Sequence, residues 1–169
     1  LEFKNIQAVF CGNVNGGMAS GHRAVSLIGM SGIPIVNVED ACSSSTAALR
    51  MGYQEVAHGI YDTILVIGME KVPPGLLEDT STPEWMRYLG VNVFPAWYAM
   101  EIVRYMEEHG ATEEDLARLA VQERNNATNN PNAMFFGQKV TFEEVMASRY
   151  IAKPLHLLMC CANADGATA

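Results

Sequence analysis

The stretch that most constrains this chain is the apolar run Ile33-Pro34-Ile35-Val36-Asn37-Val38, which breaks through Glu39-Asp40 into Ala41-Cys42-Ser43-Ser44-Ser45. The run is short, rich in β-branched residues and preceded by Gly32, as expected of a buried strand. Beyond it the period changes. Ala47, Ala48, Met51, Gly52, Val56 and Ala57 recur at helical spacing from Ser43 to His58, and Gly59 supplies a stop. A second strand run follows at Thr63-Ile64-Leu65-Val66-Ile67, within Asp62–Met69. Strand, helix, strand implies a parallel crossover and an α/β fold. Cys42 then emerges beyond the carboxyl end of a strand, where ligands of open parallel sheets gather.

A thiol at a strand-to-helix turn faces the unpaired N–H groups and positive end of the helix, which favour the thiolate. The effect bears on rate, because about 3% of an unperturbed thiol is ionised at neutral pH. Small neighbours also leave room for a substrate. Position alone equally permits Cys42 to be a small buried residue, as free cysteines often are.

Upstream, Ile6 to Cys11 reads as a strand ending at Gly12, followed by the turn-rich loop Asn13–Gly17. A helix is expected over Ser20–Met30, with Ala24, Leu27 and Ile28 on one side, ended by Gly29 to Pro34. The glycines are not a phosphate loop, since no Gly-Lys-Ser/Thr ending follows them. His22 and His58 read as surface or helix-end residues.

From Lys71 to about Thr82 the sequence turns to Pro73-Pro74-Gly75 with acidic and hydroxyl residues, which marks an exit from the sheet. Trp85, Tyr88, Phe94, Trp97, Tyr98 and Tyr105 concentrate the aromatic weight here. They are expected to pack the inserted region, the second reading being a groove for an apolar acyl or sterol-like group. Ala96 to His109 reads as a helix with Met100, Val103 and Met106 inward, ended by Gly110. Thr112-Glu113-Glu114-Asp115 has the form of a capping box opening a second helix through Leu116, Leu119 and Ala120, and the two helices are expected to form a hairpin. Asn125 to Asn132, with Pro131, is expected to be a loop. Thr141-Phe142-Glu143-Glu144 repeats the capping pattern for a short helix ending near Ser148. Ile151–Cys161 reads as a return segment and Asp165–Ala169 as a turn entering another strand. His156, Cys160 and Cys161 are read as packing residues.

A 169-residue chain that is 49% hydrophobic and 18% charged can bury a sizeable core. The net charge of -8 disfavours a nonspecific nucleic-acid surface, which needs Lys and Arg against phosphates. Four cysteines, Cys11, Cys42, Cys160 and Cys161, include no Cys-x-x-Cys pair, and their adjacent pair suits neither a disulfide nor a zinc knuckle. They are expected to be reduced, in a cytoplasmic setting or, in a eukaryote, a peroxisomal one. No apolar run approaches a membrane span, and the start Leu1-Glu2-Phe3-Lys4 has no signal-peptide pattern, so a native N-terminus and any N-terminal address are expected to lie upstream.

Val38-Glu39-Asp40-Ala41-Cys42-Ser43-Ser44-Ser45, then Ala47-Ala48-Leu49-Arg50 and Gly68-Met69-Glu70-Lys71, resemble the nucleophile region of the thiolase superfamily. Within it the chain is most similar to the sterol-carrier-protein, or lipid-transfer-protein-like, thiolases. Val9-Phe10-Cys11-Gly12-Asn13-Val14-Asn15-Gly16-Gly17, Arg23-Ala24, Asn129-Asn130-Pro131, Glu144-Val145-Met146-Ala147-Ser148 and Cys160-Cys161-Ala162-Asn163-Ala164-Asp165-Gly166-Ala167 follow the same subfamily in the same order.

The resemblance implies the amino-terminal half of a layered thiolase-like α/β fold, with a mixed, largely parallel sheet and an inserted, mostly helical loop domain. The expected plan is a core over residues 1–71, an insertion over 72–150 and a return over 151–169. It implies that Cys42 is the catalytic nucleophile, passing an acyl group between a 3-ketoacyl-CoA and CoA through a thioester, or running the reverse condensation. Coenzyme A would be a substrate, with no resident cofactor and no metal. The family also uses His-Glu-Ala-Phe or His-Asp-Cys-Phe and Cys-x-Gly motifs, none of which occurs here. This chain alone is therefore expected to be inactive and to need a completing polypeptide or the missing half, in at least a dimer. A thiolase-fold aldolase or ketosynthase, and a noncatalytic acyl-CoA or lipid-binding component of a larger assembly, are the alternatives.

Overall fold

Strand β1 (Ala8–Gly12) is buried at every position because it runs through the middle of a sheet with apolar side chains on both faces. The computed structural model describes residues 2–29, 32–79 and 81–169. Besides short 3-10 turns at Phe3–Asn5 and Leu157–Met159, the remaining elements are α1 (Ser20–Ser26), β2 (Ile35–Val38), α2 (Ser44–Ala57), β3 (Ile64–Glu70), α3 (Glu84–Tyr88), α4 (Phe94–His109), α5 (Glu113–Ala127), α6 (Phe142–Ala147), β4 (Tyr150–Ala152), β5 (Leu155–His156) and β6 (Gly166–Thr168). Two units divide the chain: residues 1–73 with 164–169, and residues 74–163.

In the first unit the sheet order is β2-β1-β3-β6. β2 and β3 both run parallel to β1, and β6 closes the sheet antiparallel to β3. The fold class is thus α/β with a mixed, mostly parallel sheet, interrupted in sequence by a largely helical unit. Alternation along the strands builds two cores. Ala8 and Phe10 meet Val36, Val38, Ile64, Val66 and the helix residue Ala48 on one face. Val9 and Ile6 meet Ile35, Leu65, Ile67 and Val25 on the other.

Both helices approach the sheet through small residues. A Cβ on Gly52 of α2 would stand 2.9 Å from Val66 Cγ2, so the helix rides directly on β3. The first helix departs from the expected Ser20–Met30. It ends at Ser26 and turns inward through Gly21 and Val25, leaving Leu27 87% exposed. Ile28 is also exposed, and Met30 lies outside the described residues.

In the second unit the two capping boxes form as expected. Asp115 N–H donates to Thr112 Oγ1 at 3.3 Å at the start of α5. Glu144 N–H donates to Thr141 Oγ1 at 3.2 Å at the start of α6. The helical faces differ from expectation. Helix α4 buries Ala99, with Ile102 and Met106 half-buried, while Met100 and Val103 are exposed. The expected α4–α5 hairpin gives way to packing of α5 on α6 and of α4 on β4. Of the aromatic residues expected to pack this region, only Trp97 is half-buried: Trp85 is 62% and Tyr88 83% exposed, and Phe94, Tyr98 and Tyr105 are exposed as well. Five-residue α3 buries nothing, so it offers them no seat.

Asn125 and Asn126, expected in a loop, belong to the last turn of α5. The Asn125 amide closes the excursion that follows, donating from Nδ2 to Val140 O at 3.2 Å and accepting Val140 N–H at Oδ1 at 3.1 Å. Residues 151–163, expected in the return, belong to the second unit, where β4 and β5 form a two-stranded ribbon. The return strand is β6, entered through Asp165, whose carboxylate accepts Val72 N–H at 2.9 Å.

Candidate active site

Cys42 is exposed in the turn between β2 and α2, at the carboxyl ends of the parallel strands. The turn is tightly tied. Ala41 is a non-glycine residue at φ +45, a left-handed conformation that an L side chain seldom adopts. Ala41 N–H donates to Glu39 Oε1 at 2.8 Å, and Ser43 N–H to Asp40 O at 3.0 Å. The Ser43 hydroxyl lies 2.8 Å from Asp40 O and 2.7 Å from Asp40 Oδ2, one proton serving either acceptor. Ser44, only 4% exposed, accepts Asp40 N–H at Oγ at 2.8 Å and donates the same hydroxyl to Ala41 O at 2.7 Å.

Two further loops leave the same end of the sheet. The backbone after β1 is held by Glu70, the last residue of β3. Its carboxylate accepts Val14 N–H at 2.8 Å, Asn15 N–H at 3.0 Å and Lys71 N–H at 3.0 Å. Partial desolvation pushes the Glu70 carboxyl up, but these donors together outweigh it and hold the group below its ordinary value. Arg23 grips the other side of the loop, donating to Gly16 O and Met18 O.

Under the start of α1, Asn37 Oδ1 accepts Gly21 N–H at 2.7 Å, which turns Asn37 Nδ2 toward His22 Nδ1 at 3.2 Å. With the amide in that orientation, His22 Nδ1 is the acceptor of this contact. Asn13 Nδ2 donates to Ser20 Oγ at 2.6 Å beside Cys11 Sγ at 3.9 Å.

The other candidate residues scatter. Cys11 is fully buried, and desolvation raises its thiol above the ordinary value against a smaller opposing bond from Asn13. Cys160 is half-buried in the second unit and raised by desolvation and by neighbouring Cys161, with Arg124 opposing. Cys161 is exposed, contrary to the packing role expected of it. His58 ends α2 with Nδ1 on Gln54 O at 2.7 Å, and the His109 ring meets Tyr105 at a 46° tilt with ring centroids 4.5 Å apart. His156 is buried as expected, with Nδ1 donating to Ser148 O at 2.6 Å; among the described residues its Nε2 has no hydrogen-bond partner, the Glu113 carboxylate standing 3.6 Å away. No group of three or more metal-ligating side chains exists among the described residues, and none of their helices is long and apolar enough to cross a membrane.

Reading residue by residue missed Glu70 and Ser44. Glu70 was visible only as part of Gly68-Met69-Glu70-Lys71, and a serine after a cysteine carries no sign of which backbone groups it will bridge.

The family described as "Thiolase, N-terminal domain" matches residues 1–166. The benzoylsuccinyl-CoA thiolase subunit BbsB of Thauera aromatica is 40% identical over 168 residues, covering 97% of this chain and 43% of that protein. Sterol carrier protein 2 of Bos taurus is 31% identical over 183 residues, covering 100% of this chain and 34% of that protein. The solved Ltp2-ChsH2(DUF35) aldolase superposes with a TM-score of 0.77 at 28% identity, over 99% of this chain and 44% of that one. The chain thus spans less than half the length of each. With its parallel strands, the Cys42 turn and a match along almost the whole chain, the protein belongs to the thiolase N-terminal domain family.

Proposed function

We propose that the natural polypeptide carrying this chain is a thiolase-type acyltransferase with Cys42 as its nucleophile. The observation that carries the reading is the exposed Cys42 thiol at the start of α2, where the carboxyl ends of the parallel strands meet. Cys42 sulfur attacks the ketone carbon of a 3-ketoacyl-CoA, and the bond between that carbon and the α-carbon breaks. Acetyl-CoA leaves after its carbanion takes a proton, and the acyl group stays on Cys42 as a thioester. The thiol of a second CoA then collects it, releasing Cys42. The reverse sequence condenses two acyl-CoAs. The proton donors and oxyanion contacts for these steps belong to residues beyond this chain or on a partner, either a second copy or a completing polypeptide. Strand β2 at the sheet edge supports such a partner, since an edge strand presents unpaired backbone groups. A reducing compartment, cytoplasmic or peroxisomal, suits four free thiols.

The test is to incubate the full-length polypeptide with a 3-ketoacyl-CoA, quench, and seek an acyl group on the peptide containing Cys42 by mass spectrometry. An acyl-Cys42 adduct, with turnover abolished in Cys42→Ala, is the expected result. Turnover unaffected by Cys42→Ala overturns it.

An aldolase is the second reading, favoured by the likeness to the Ltp2-ChsH2(DUF35) aldolase over 99% of the chain. Retro-aldol cleavage needs no thioester to the enzyme. Carbon–carbon cleavage of a 3-hydroxyacyl-CoA without any acyl-Cys42 adduct would favour it.

A further inference from the structure

Ser44 holds Cys42 in place through a two-sided hydrogen-bond latch, and we infer that it is a positioning residue for acyl transfer; this rests on Cys42 being the nucleophile. The turn on which Cys42 stands is not one that its sequence favours. Ala41 sits at φ +45 without the freedom of glycine, so the surrounding contacts must hold it there. Ser44 supplies two of them from one oxygen. Its Oγ accepts Asp40 N–H at 2.8 Å and donates to Ala41 O at 2.7 Å, so the groups flanking the strained residue are fixed to the first residue of α2. Ser44 N–H adds a third bond to Ala41 O at 3.2 Å.

Ser44 is itself immobilised. It is 4% exposed, and a Cβ on Gly12 would lie 2.5 Å from its carbonyl carbon, so this first helical turn is pressed onto β1. The latch thereby transmits the position of the sheet to Cys42. By contrast, the Ser43 hydroxyl is exposed and, among the described residues, makes its bonds only to Asp40. A hydroxyl is required at 44, because alanine would satisfy neither Asp40 N–H nor the second bond at Ala41 O. Misplacement of a nucleophile by about 1 Å can cost about 100-fold in rate.

The experiment uses the full-length polypeptide and compares Ser44→Ala, Ser44→Thr, Cys42→Ala and Ala48→Gly, the last a core change in α2 away from the turn. Acyl-enzyme formation is followed by rapid quench, Cys42 alkylation by iodoacetamide, and folding by urea midpoint. The expected result is a fall of about 100-fold in the acylation rate of Ser44→Ala, with KM and iodoacetamide reactivity close to wild type. Ser44→Thr, which restores the hydroxyl, recovers most of the rate. Ala48→Gly lowers the urea midpoint but leaves the acylation rate alone. Wild-type acylation in Ser44→Ala, beside an inactive Cys42→Ala, overturns the latch and leaves the thiolase reading standing. Equal losses of rate in Ser44→Ala and Ala48→Gly also overturn it, as a merely structural effect. Full turnover in Cys42→Ala removes the nucleophile and the latch together. Should Ser44→Ala fail to fold, the Thr variant decides: the hydroxyl alone must keep the rate above one tenth of wild type.

Discussion

Gly12 and Gly68 are register partners on neighbouring strands, and the start of α2 rests on both. A Cβ at 12 would stand 2.5 Å from the Ser44 carbonyl carbon and Ser45 Cα, and one at 68 would stand 2.6 Å from Ser45 Oγ. The pair forms a notch in the sheet surface that lets the helix begin at backbone contact. Gly12→Ala should therefore lift the first turn of α2, costing about 1–3 kcal/mol from overpacking. The contact at 12 is to backbone, whereas that at 68 is to a serine hydroxyl that can rotate, so Gly68→Ala should cost less. Urea midpoints of the two variants check the order, and equal or reversed losses would refute it.

The thiols should separate by burial. Cys11 lies in the core with its thiol raised by desolvation, so it should be the last to react with iodoacetamide at pH 8. Cys160, half-buried and raised for the same reason, should follow the exposed Cys42 and Cys161. Between these two, the small residues and helix start at Cys42 favour it. Mapping modified peptides against time gives the ranking, and early modification of Cys11 in folded protein would contradict it.

Glu70 should make stability depend on pH. Its carboxyl is held below the ordinary value of 4.5, so the folded state binds its proton less readily than the unfolded state. The contribution is therefore fully present above the unfolded value and is lost as pH falls through the lower folded value. Glu70→Gln should be less stable than wild type at pH 7, and the gap should narrow in acid. Urea midpoints over this range provide the check; a gap unchanged at low pH would show that Glu70 acts by shape alone.

Asn125→Ala should cost about 1 kcal/mol or more, since it leaves Val140 N–H and C=O without the amide that serves both. Asn125→Asp should recover only the bond from Val140 N–H, because a carboxylate cannot donate to the carbonyl. Proteolysis of the folded protein should then cut within residues 129–139 sooner in both variants.

Strands and caps were legible in the sequence because their signals are local. The runs ending at Cys11, Val38 and Met69 became β1, β2 and β3, and Thr112 and Thr141 opened helices as their capping boxes required. Helical faces were less legible for one physical reason. In α2 the spacing did pick out the buried Ala48 and Gly52, but the buried positions of α4 and α5 are Ala99 and Ala117, because these helices pack closely through small residues. A reading that follows large apolar side chains finds Leu27, Met100, Val103 and Leu119 instead, and these are exposed. At the candidate site the Cys42 turn followed from the change of period. The Ser44 latch and the Glu70 clamp did not, because each depends on backbone groups brought near only when the turn and the strand ends are in place.

The bond pair between Asn125 and Val140 makes the intervening excursion a closed neck with an exposed tip. Thr128 O accepts Gly137 N–H at 3.3 Å just inside that neck, and residues 129–132 are exposed. Lengthening a loop whose ends are already fixed adds closure entropy only slowly, about 0.6 kcal/mol per doubling. Related chains can therefore gain or lose residues at this tip while α5 and α6 keep their places. An epitope or fluorophore spliced between Asn130 and Asn132 would cost the bonds that Asn132 N–H and Ala133 N–H make to Asn130, while the Asn125–Val140 pair lies outside the insertion.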